Sequence, residues 1–307
     1  MWSSLWFEVL GFVVAVLPVA LLLLVFRYAD RWRPEPKREV VRAVVLGALA
    51  CVPVFFAEVA LKRLLGPWSL VGARFFDAYG VVALPEEAAK LAVVLAVPYR
   101  RRYFDEYTDG VLYTGAVSLG FGLFENLLFV SGAFANAICA VPWISAMCGA
   151  ETSTHTDAQH VVLGLVRALT AVPMHAIASG LMGYFIGRSR FVRRRHAPRW
   201  WAAGLMVAVM VHGSYDWLVF TLGRSAVIFL LLPALLVIAG FGLRHALRHA
   251  LELDEVMLGP ERRNSRGSLV GGRARRGRAA WRKLGPRAPR EGRRGAVWCS
   301  RSASRRM

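Results

Sequence analysis

The residues of this chain best suited to chemistry lie where an apolar helix should carry none. In Leu84-Pro85-Glu86-Glu87-Ala88-Ala89-Lys90, three ionisable side chains and a proline interrupt a segment otherwise fit to cross a bilayer. A charge at the centre of hydrocarbon costs about 3 kcal/mol or more unless a partner or water receives it. Glu86 and Lys90 stand one helical turn apart with the acid N-terminal to the base, so each can compensate the other, while Glu87 points about 100° away around the same helix. Pro85 has no amide proton and deprives the carbonyl of Val81 of its helical partner. Either a helix begins here with Pro85 in its first turn, which puts both carboxylates at the favourable end of the helix dipole, or a kink opens. Further along, Phe121-Gly122-Leu123-Phe124-Glu125-Asn126 sets an acid and an amide in an apolar segment. Met174-His175-Ala176 adds a histidine, and His212-Gly213-Ser214-Tyr215-Asp216 places a histidine and an acid on one helix face. Carboxylates and imidazoles gathered in an apolar site suit general acid and base activation of water. Two histidines with several carboxylates also suit zinc, although no compact His-Glu-x-x-His pair is present, and the reading without metal or other cofactor is favoured. A structural ion pair beside a kink, and histidines that merely bond helix to helix, are the alternatives for each motif taken singly.

The elements that must hold these residues are membrane helices. Hydrophobic residues make up 56% of the 307, and the mean hydropathy of +0.43 excludes an ordinary soluble domain. Apolar runs long enough for a ~30 Å hydrocarbon core fall at residues 5–26, 40–61, 79–98, 110–134, 161–187, 201–222 and 225–243. The expected fold is therefore all-α, a polytopic bundle of about seven spans in which four consecutive helices carry the polar motifs. Residues 1–7 contain no Lys or Arg, so no secretory leader is expected and the first helix should stay in the mature protein. Basic clusters follow the first, third, fifth and seventh spans, including Arg100 to Arg102 and Arg193 to Arg195, whereas residues 138–160 contain no Lys or Arg. Positive loops mark the cytoplasm, which puts the N-terminus outside and the C-terminus inside a cell membrane. The three bases Lys62, Arg63 and Arg74 must then lie outside. Counting ~1.5 Å per residue along each span, Glu86, Glu125 and Asp216 fall in the outer half and His175 and His212 near mid-membrane, so all can converge on one cavity opening to the outer face. Gly120, Gly122, Gly180, Gly183, Gly187 and Gly213 allow helices to approach closely around it.

Two domains are expected: a membrane body at 1–243 and a tail at 244–307. The tail holds 18 Lys and Arg against 5 Asp and Glu, more than half of the formal charge of +19. Residues 244–251 alternate bases and apolar residues as an amphipathic helix on the inner leaflet would. The rest, rich in Arg, Gly, Pro and Ser, reads as disordered. Anionic lipid is the expected partner of these bases rather than nucleic acid, because the tail is tethered to a bilayer and offers only Trp281 and Trp298 for base stacking. Cys139 and Cys148 share an outer loop and are expected to form a disulfide.

Taken in order, Glu86-Glu87-x-x-Lys90, Phe121-x-x-x-Glu125-Asn126, His175 and His212-x-x-x-Asp216 resemble the four motifs of PrsW-type intramembrane proteases. Those belong to a wider glutamic group that includes type II CAAX prenyl endopeptidases, bacteriocin-processing enzymes and the APH-type gamma-secretase subunit. The resemblance covers residues of about 80–220. CAAX endopeptidases carry histidine where this chain has Glu125, so no prenylated substrate is implied. What the resemblance implies is an endopeptidase in which Glu86 or Glu87 activates water, Glu125 or His175 helps to hold it, and His212, steadied by Asp216, assists the developing oxyanion or the leaving amine. Lys90, Phe121 and Asn126 support them. The implied substrate is a membrane-anchored protein cut near the outer face, such as an anti-sigma factor or similar regulator. A non-enzymatic scaffold is the competing reading, against which stand the retained glutamates. A proton-coupled transporter is another, and it should show an internal repeat that is absent here.

Overall fold

A computed structural model of the protein describes residues 2–29, 34–65, 71–130, 157–222 and 225–258. The described residues are helical almost throughout and contain no strand. Helices α1 (Trp2–Ala29) and α2 (Lys37–Leu65) come first, followed by a composite run: α3 (Val71–Phe76), a π-helical turn (Asp77–Ala83) and α4 (Leu84–Ala96). Next are α5 (Tyr107–Val130), α6 (Asp157–Leu169), α7 (Ala171–Arg190), α8 (Ala197–Leu222) and α9 (Ile228–Leu258). Among the described residues six stretches are long and apolar enough to cross a membrane: five single helices, and α6 with α7 taken together. The run from α3 to α4 lies where the third of the seven spans was expected. The chain is a multi-pass membrane protein.

The centre of the bundle is α5. Its packing against α7 and α2 is the most extensive in the molecule, with α8 laid on α7 and α1 covering one side of α5. Aliphatic residues do not segregate helices from lipid, so close backbone approach has to hold the bundle together. A β-carbon on Gly47 would strike the carbonyl of Val117, and one on Gly120 that of Val44, which fixes α2 against α5. Gly110 and Gly183 fit against one another's carbonyls where α5 crosses α7. By contrast α1 and α9 present large apolar side chains outward, among them Phe12, Leu21, Leu24, Phe229, Ile238 and Phe241, the surface that lipid covers.

Three local features differ from a simple reading of seven straight spans. The first is at Pro85. A helix does begin there, with Pro85 in the first turn of α4, but the preceding chain is not a loop. It keeps right-handed helical dihedrals (Ala83 φ −60°, ψ −42°), and the amide of Leu84 bonds the carbonyl of Tyr79, five residues back. Widening one turn to the π register lets the helix absorb a residue that lacks an amide donor. The second is a break at Thr170 (φ −126°, ψ −62°) that divides the expected 161–187 span into α6 and α7. Pro173 cannot donate to Leu169, so the α6 ladder stops short of it, and the Thr170 hydroxyl bonds the Val166 carbonyl (2.7 Å). The third is α9, which runs unbroken to Leu258, so residues 244–251 continue a span instead of forming a separate interfacial helix. Ala246, Ala250 and Asp254 recur every four residues and are all buried against the bundle. The fully buried carboxylate of Asp254 accepts from the amides of Tyr107 (2.6 Å) and Thr108 (3.1 Å) and from the Thr108 hydroxyl (2.8 Å), capping α5. The compact unit of the chain accordingly extends to Met257. The Cys139 and Cys148 pair and the basic segment after residue 258 lie outside the described residues; Cys51 is a buried free thiol.

Candidate active site

The site is assembled from five helices. The first turn of α4 supplies Glu86 and Glu87, and its second supplies Lys90. The C-terminal half of α5 supplies Phe121, Glu125 and Asn126, the last turn of α6 Arg167, the start of α7 His175 and Ser179, and α8 His212 and Asp216. The π turn places Tyr79 against α8, where its ring lies over Gly213 and its hydroxyl meets Ser214 Oγ at 2.8 Å. This contact sets the height of α4 relative to α8.

Lys90 is the hub. Its side chain is wholly buried, and Nζ donates to Glu87 Oε1 (2.7 Å) and Glu86 Oε2 (3.2 Å), lies 3.0 Å from His175 Nδ1, and stands 4.4 Å above the Phe121 ring. An ammonium has three protons and no lone pair, so three acceptors satisfy it and His175 must present a bare Nδ1. The ring proton of His175 is then on Nε2, which donates to Glu125 Oε2 (2.7 Å). Glu125 is held from its other side by Arg167, whose Nη2 is 2.7 Å from Oε1.

The two adjacent glutamates differ in their surroundings. Glu87 is fully enclosed: besides Lys90, it accepts from His212 Nδ1 (2.9 Å) on Oε1 and from Ser179 Oγ (2.7 Å) on Oε2. Glu86 has only the longer Lys90 contact on Oε2, and its Oε1 accepts no hydrogen bond from any described residue. Oε2 stands 4.0 Å from both His175 Nδ1 and His212 Nε2. The two imidazole rings are 5.0 Å apart and nearly perpendicular. His212 Nε2 lies 3.3 Å from Asp216 Oδ2, but the pair is not aligned as a hydrogen bond, and that oxygen is left without one. Glu86, Glu87, His175 and His212 each offer one donor atom within a 4.8 Å cluster. Among the site side chains, Glu125, Arg167 and Asp216 are the partly exposed ones, at 20%, 15% and 12%, so the cluster opens on their side.

The structure thus brings together eight of the nine residues singled out from the sequence. The ninth, Asn126, lies one step away: it is buried, accepts from Arg167 Nε at 3.2 Å and leaves its amide nitrogen unpaired. Arg167 and Ser179 were missed. The signal for Arg167 was a base well inside an apolar segment, the same signal that marked Glu86. A serine on an apolar helix carries no such mark, and only the fold shows that Ser179 faces Glu87.

No solved structure matches the chain. Residues 35–241 match the family described as PrsW family intramembrane metalloprotease. Protease PrsW of Bacillus subtilis (strain 168) is 29% identical over 231 residues, covering 75% of this chain and 91% of the relative. Protease PrsW of Geobacillus kaustophilus (strain HTA426) is 32% identical over 203 residues, covering 66% and 76%. That of Halalkalibacterium halodurans is 28% identical over 224 residues, covering 73% and 89%. The matched region contains all four polar motifs and every helix from α2 to the first half of α9, and the chain belongs to the PrsW family of intramembrane proteases.

Proposed function

We propose that this protease cuts a membrane-anchored protein near the outer face of the cell membrane, with Glu86 as the base that activates water. The observation that carries the reading is the unequal engagement of the two glutamates. Glu87 spends both oxygens on Lys90, His212 and Ser179, whereas Glu86 keeps an oxygen able to accept from water. In the reaction, Glu86 takes a proton from water as its oxygen bonds to the scissile carbonyl carbon. The resulting tetrahedral oxyanion needs a donor. His212 gives its Nδ1–H to Glu87, so as an imidazolium it carries a second proton on Nε2, turned toward Glu86 and Asp216 and placed to donate to the oxyanion. The proton taken by Glu86 then goes to the amine nitrogen as the C–N bond breaks, leaving a carboxylic acid and an amine, which exchange the remaining proton to become carboxylate and ammonium. Glu87 acts by holding Lys90 and His212. Regulators of the anti-sigma type, implied by the family resemblance, are one substrate class with the required membrane anchor.

The metal in the family description does not suit the donors as they are held. Zinc needs free lone pairs about 2.0–2.2 Å from a common point. Here the Lys90 ammonium contacts three of the four candidate ligands at 2.7, 3.0 and 3.2 Å, uses one lone pair of each, and brings a positive charge to the place of the ion. A fixed ammonium can supply the positive field that a metal would otherwise provide.

The opening of the cluster beside Glu125 and Asp216 lies at the end of the bundle opposite to the basic loops at Arg100–Arg102 and Arg193–Arg195, with only Lys62 and Arg63 of α2 and Arg74 of α3 among the described loop-end bases on its own side. Arg38 bonds Tyr103 (3.0 Å) and Arg190 bonds the Phe104 carbonyl (3.3 Å), near the start of α5. This separation supports a cytoplasmic C-terminus, an outer N-terminus and cleavage toward the outside. The basic segment after residue 258 is then cytoplasmic and contacts anionic lipid. To test the substrate class, membrane proteins of cells carrying the wild type are compared by quantitative proteomics with those carrying Glu86→Ala. The expected outcome is an intact single-pass protein that accumulates in the variant, and identical profiles would count against the proposal.

A further inference from the structure

We infer that Glu35, Asp105 and Asp109 form a site for a hard divalent cation at the end of the bundle opposite to the candidate active site. Glu35 stands just before α2, Asp105 just before α5 and Asp109 in the first turn of α5. Each brings one carboxylate oxygen, and these three oxygens lie within 4.8 Å of one another. Acids gathered in one place are not by themselves a site, and it is Asp109 that points to a ligand. Its side chain is wholly buried, and Oδ2 accepts from the amides of Asp105 (2.7 Å) and Glu106 (2.6 Å). Oδ1 is enclosed and has no hydrogen-bond partner. A buried carboxylate oxygen without a partner is costly, and an ion held by the same carboxylate and its two neighbours would satisfy it.

The amides of Asp105 to Thr108 at the start of α5 are already engaged, two by Asp109 Oδ2 and two by Asp254. The Tyr113 hydroxyl donates to Glu35 Oε2, but a phenol is neutral and offsets no charge. Arg42 (2.8 Å) and Arg38 (3.5 Å) direct their charges to Glu39, the next acid along the chain. Three carboxylates with no nitrogen or sulfur donor suit calcium, magnesium or manganese rather than zinc. Oxygens on opposite sides of a calcium ion stand about 4.6–5.2 Å apart, from bonds of about 2.3–2.6 Å, so the span here takes calcium as it is. Magnesium, with bonds of about 2.0–2.1 Å, would draw the oxygens closer. Bound there, the ion ties the chain entering α2 to the start of α5, the two helices fixed further along by Gly47 and Gly120. Asp109 is ~24 Å along α5 from Glu125, so the ion acts on stability and not on the reacting groups.

The test uses the full chain in detergent, stripped with a chelator and then titrated with Mn²⁺, a probe that electron paramagnetic resonance reads directly. One Mn²⁺ should bind with a Kd below about 1 mM, show no 14N coupling from imidazole, and be displaced by Ca²⁺ or Mg²⁺. Saturating ion should raise the thermal midpoint by about 2 °C or more. Asp109→Asn keeps an oxygen for the two amides and should weaken Mn²⁺ binding by ~10-fold or more. Glu35→Gln should do the same, and it decides if Asp109→Asn is not recovered folded. A folded wild type that binds no Mn²⁺ would overturn the inference, the charge of the cluster then being met by a proton or by Arg31 and Arg33, which precede Glu35 in the chain. So would a bound Mn²⁺ seen only with the 14N couplings of His175 and His212, or an affinity unchanged in Asp109→Asn or in Glu35→Gln.

Discussion

Glu86 and Glu87 are neighbours separated by about 100° of helix, and that rotation decides their different duties. It turns Glu87 into the space between Lys90, Ser179 and His212, and turns Glu86 toward the gap between the two imidazoles. Removing one partner from a buried ion pair leaves the other charge uncompensated, at a cost of about 3–5 kcal/mol. Glu87→Gln should therefore lower stability by that order, read as a fall in the thermal midpoint in detergent. Glu86→Gln loses one longer contact and should stay within about 1 kcal/mol of the wild type. Equal destabilisation by the two would contradict the division of roles. Helix spacing was enough to put Glu86, Lys90, His212 and Asp216 in one cluster, because i to i+4 pairs and a common depth need only the rise per residue. It could not choose between the glutamates, since the choice rests on Ser179 and His212, which arrive from other helices. Nor could any spacing rule join Arg167 to Glu125, 42 positions earlier in the chain.

Among the elements, long apolar spans were legible because the bilayer demands a fixed length. Their irregularities were not. The break at Thr170 depends on Pro173 and on a hydroxyl that also meets Tyr215 (2.9 Å). The docked end of α9 shares its four-residue repeat with a helix lying on lipid, and only the amides of α5 opposite Asp254 distinguish the two. Asp254→Ala should destabilise the protein by about 1–2 kcal/mol by uncapping α5, and a chain stopped after His245 should be markedly less stable than one stopped after Leu258, as measured by thermal unfolding. Where backbones touch, Gly47→Leu should prevent recovery of folded protein from membranes, because its side chain would enter the Val117 carbonyl. Gly240→Ala, whose new carbon would meet only Ile177 Cδ1 at 3.7 Å, should be tolerated.

At the scale of the whole molecule, the bundle separates a polar cluster at one end from basic loops at the other, and the α5 core holds the two ends apart. Single cysteines at Ser225 and Arg194 should therefore label from opposite sides of intact cells with an impermeant reagent, Ser225 from outside. Labelling of both from one side would reverse or break the proposed orientation. On the proposed reading the chemistry is self-contained, because base, proton donor and positive charge would all come from buried side chains of one chain. The most direct measurement is the cleavage rate of a validated substrate by purified wild type and Glu86→Gln, each first treated with a strong chelator. The wild type is expected to keep its rate while Glu86→Gln falls by about 10²–10⁴-fold. A chelated wild type that is inactive and regains its rate on addition of zinc, or a Glu86→Gln protein as fast as the wild type, would contradict a glutamate-activated water beside a resident lysine.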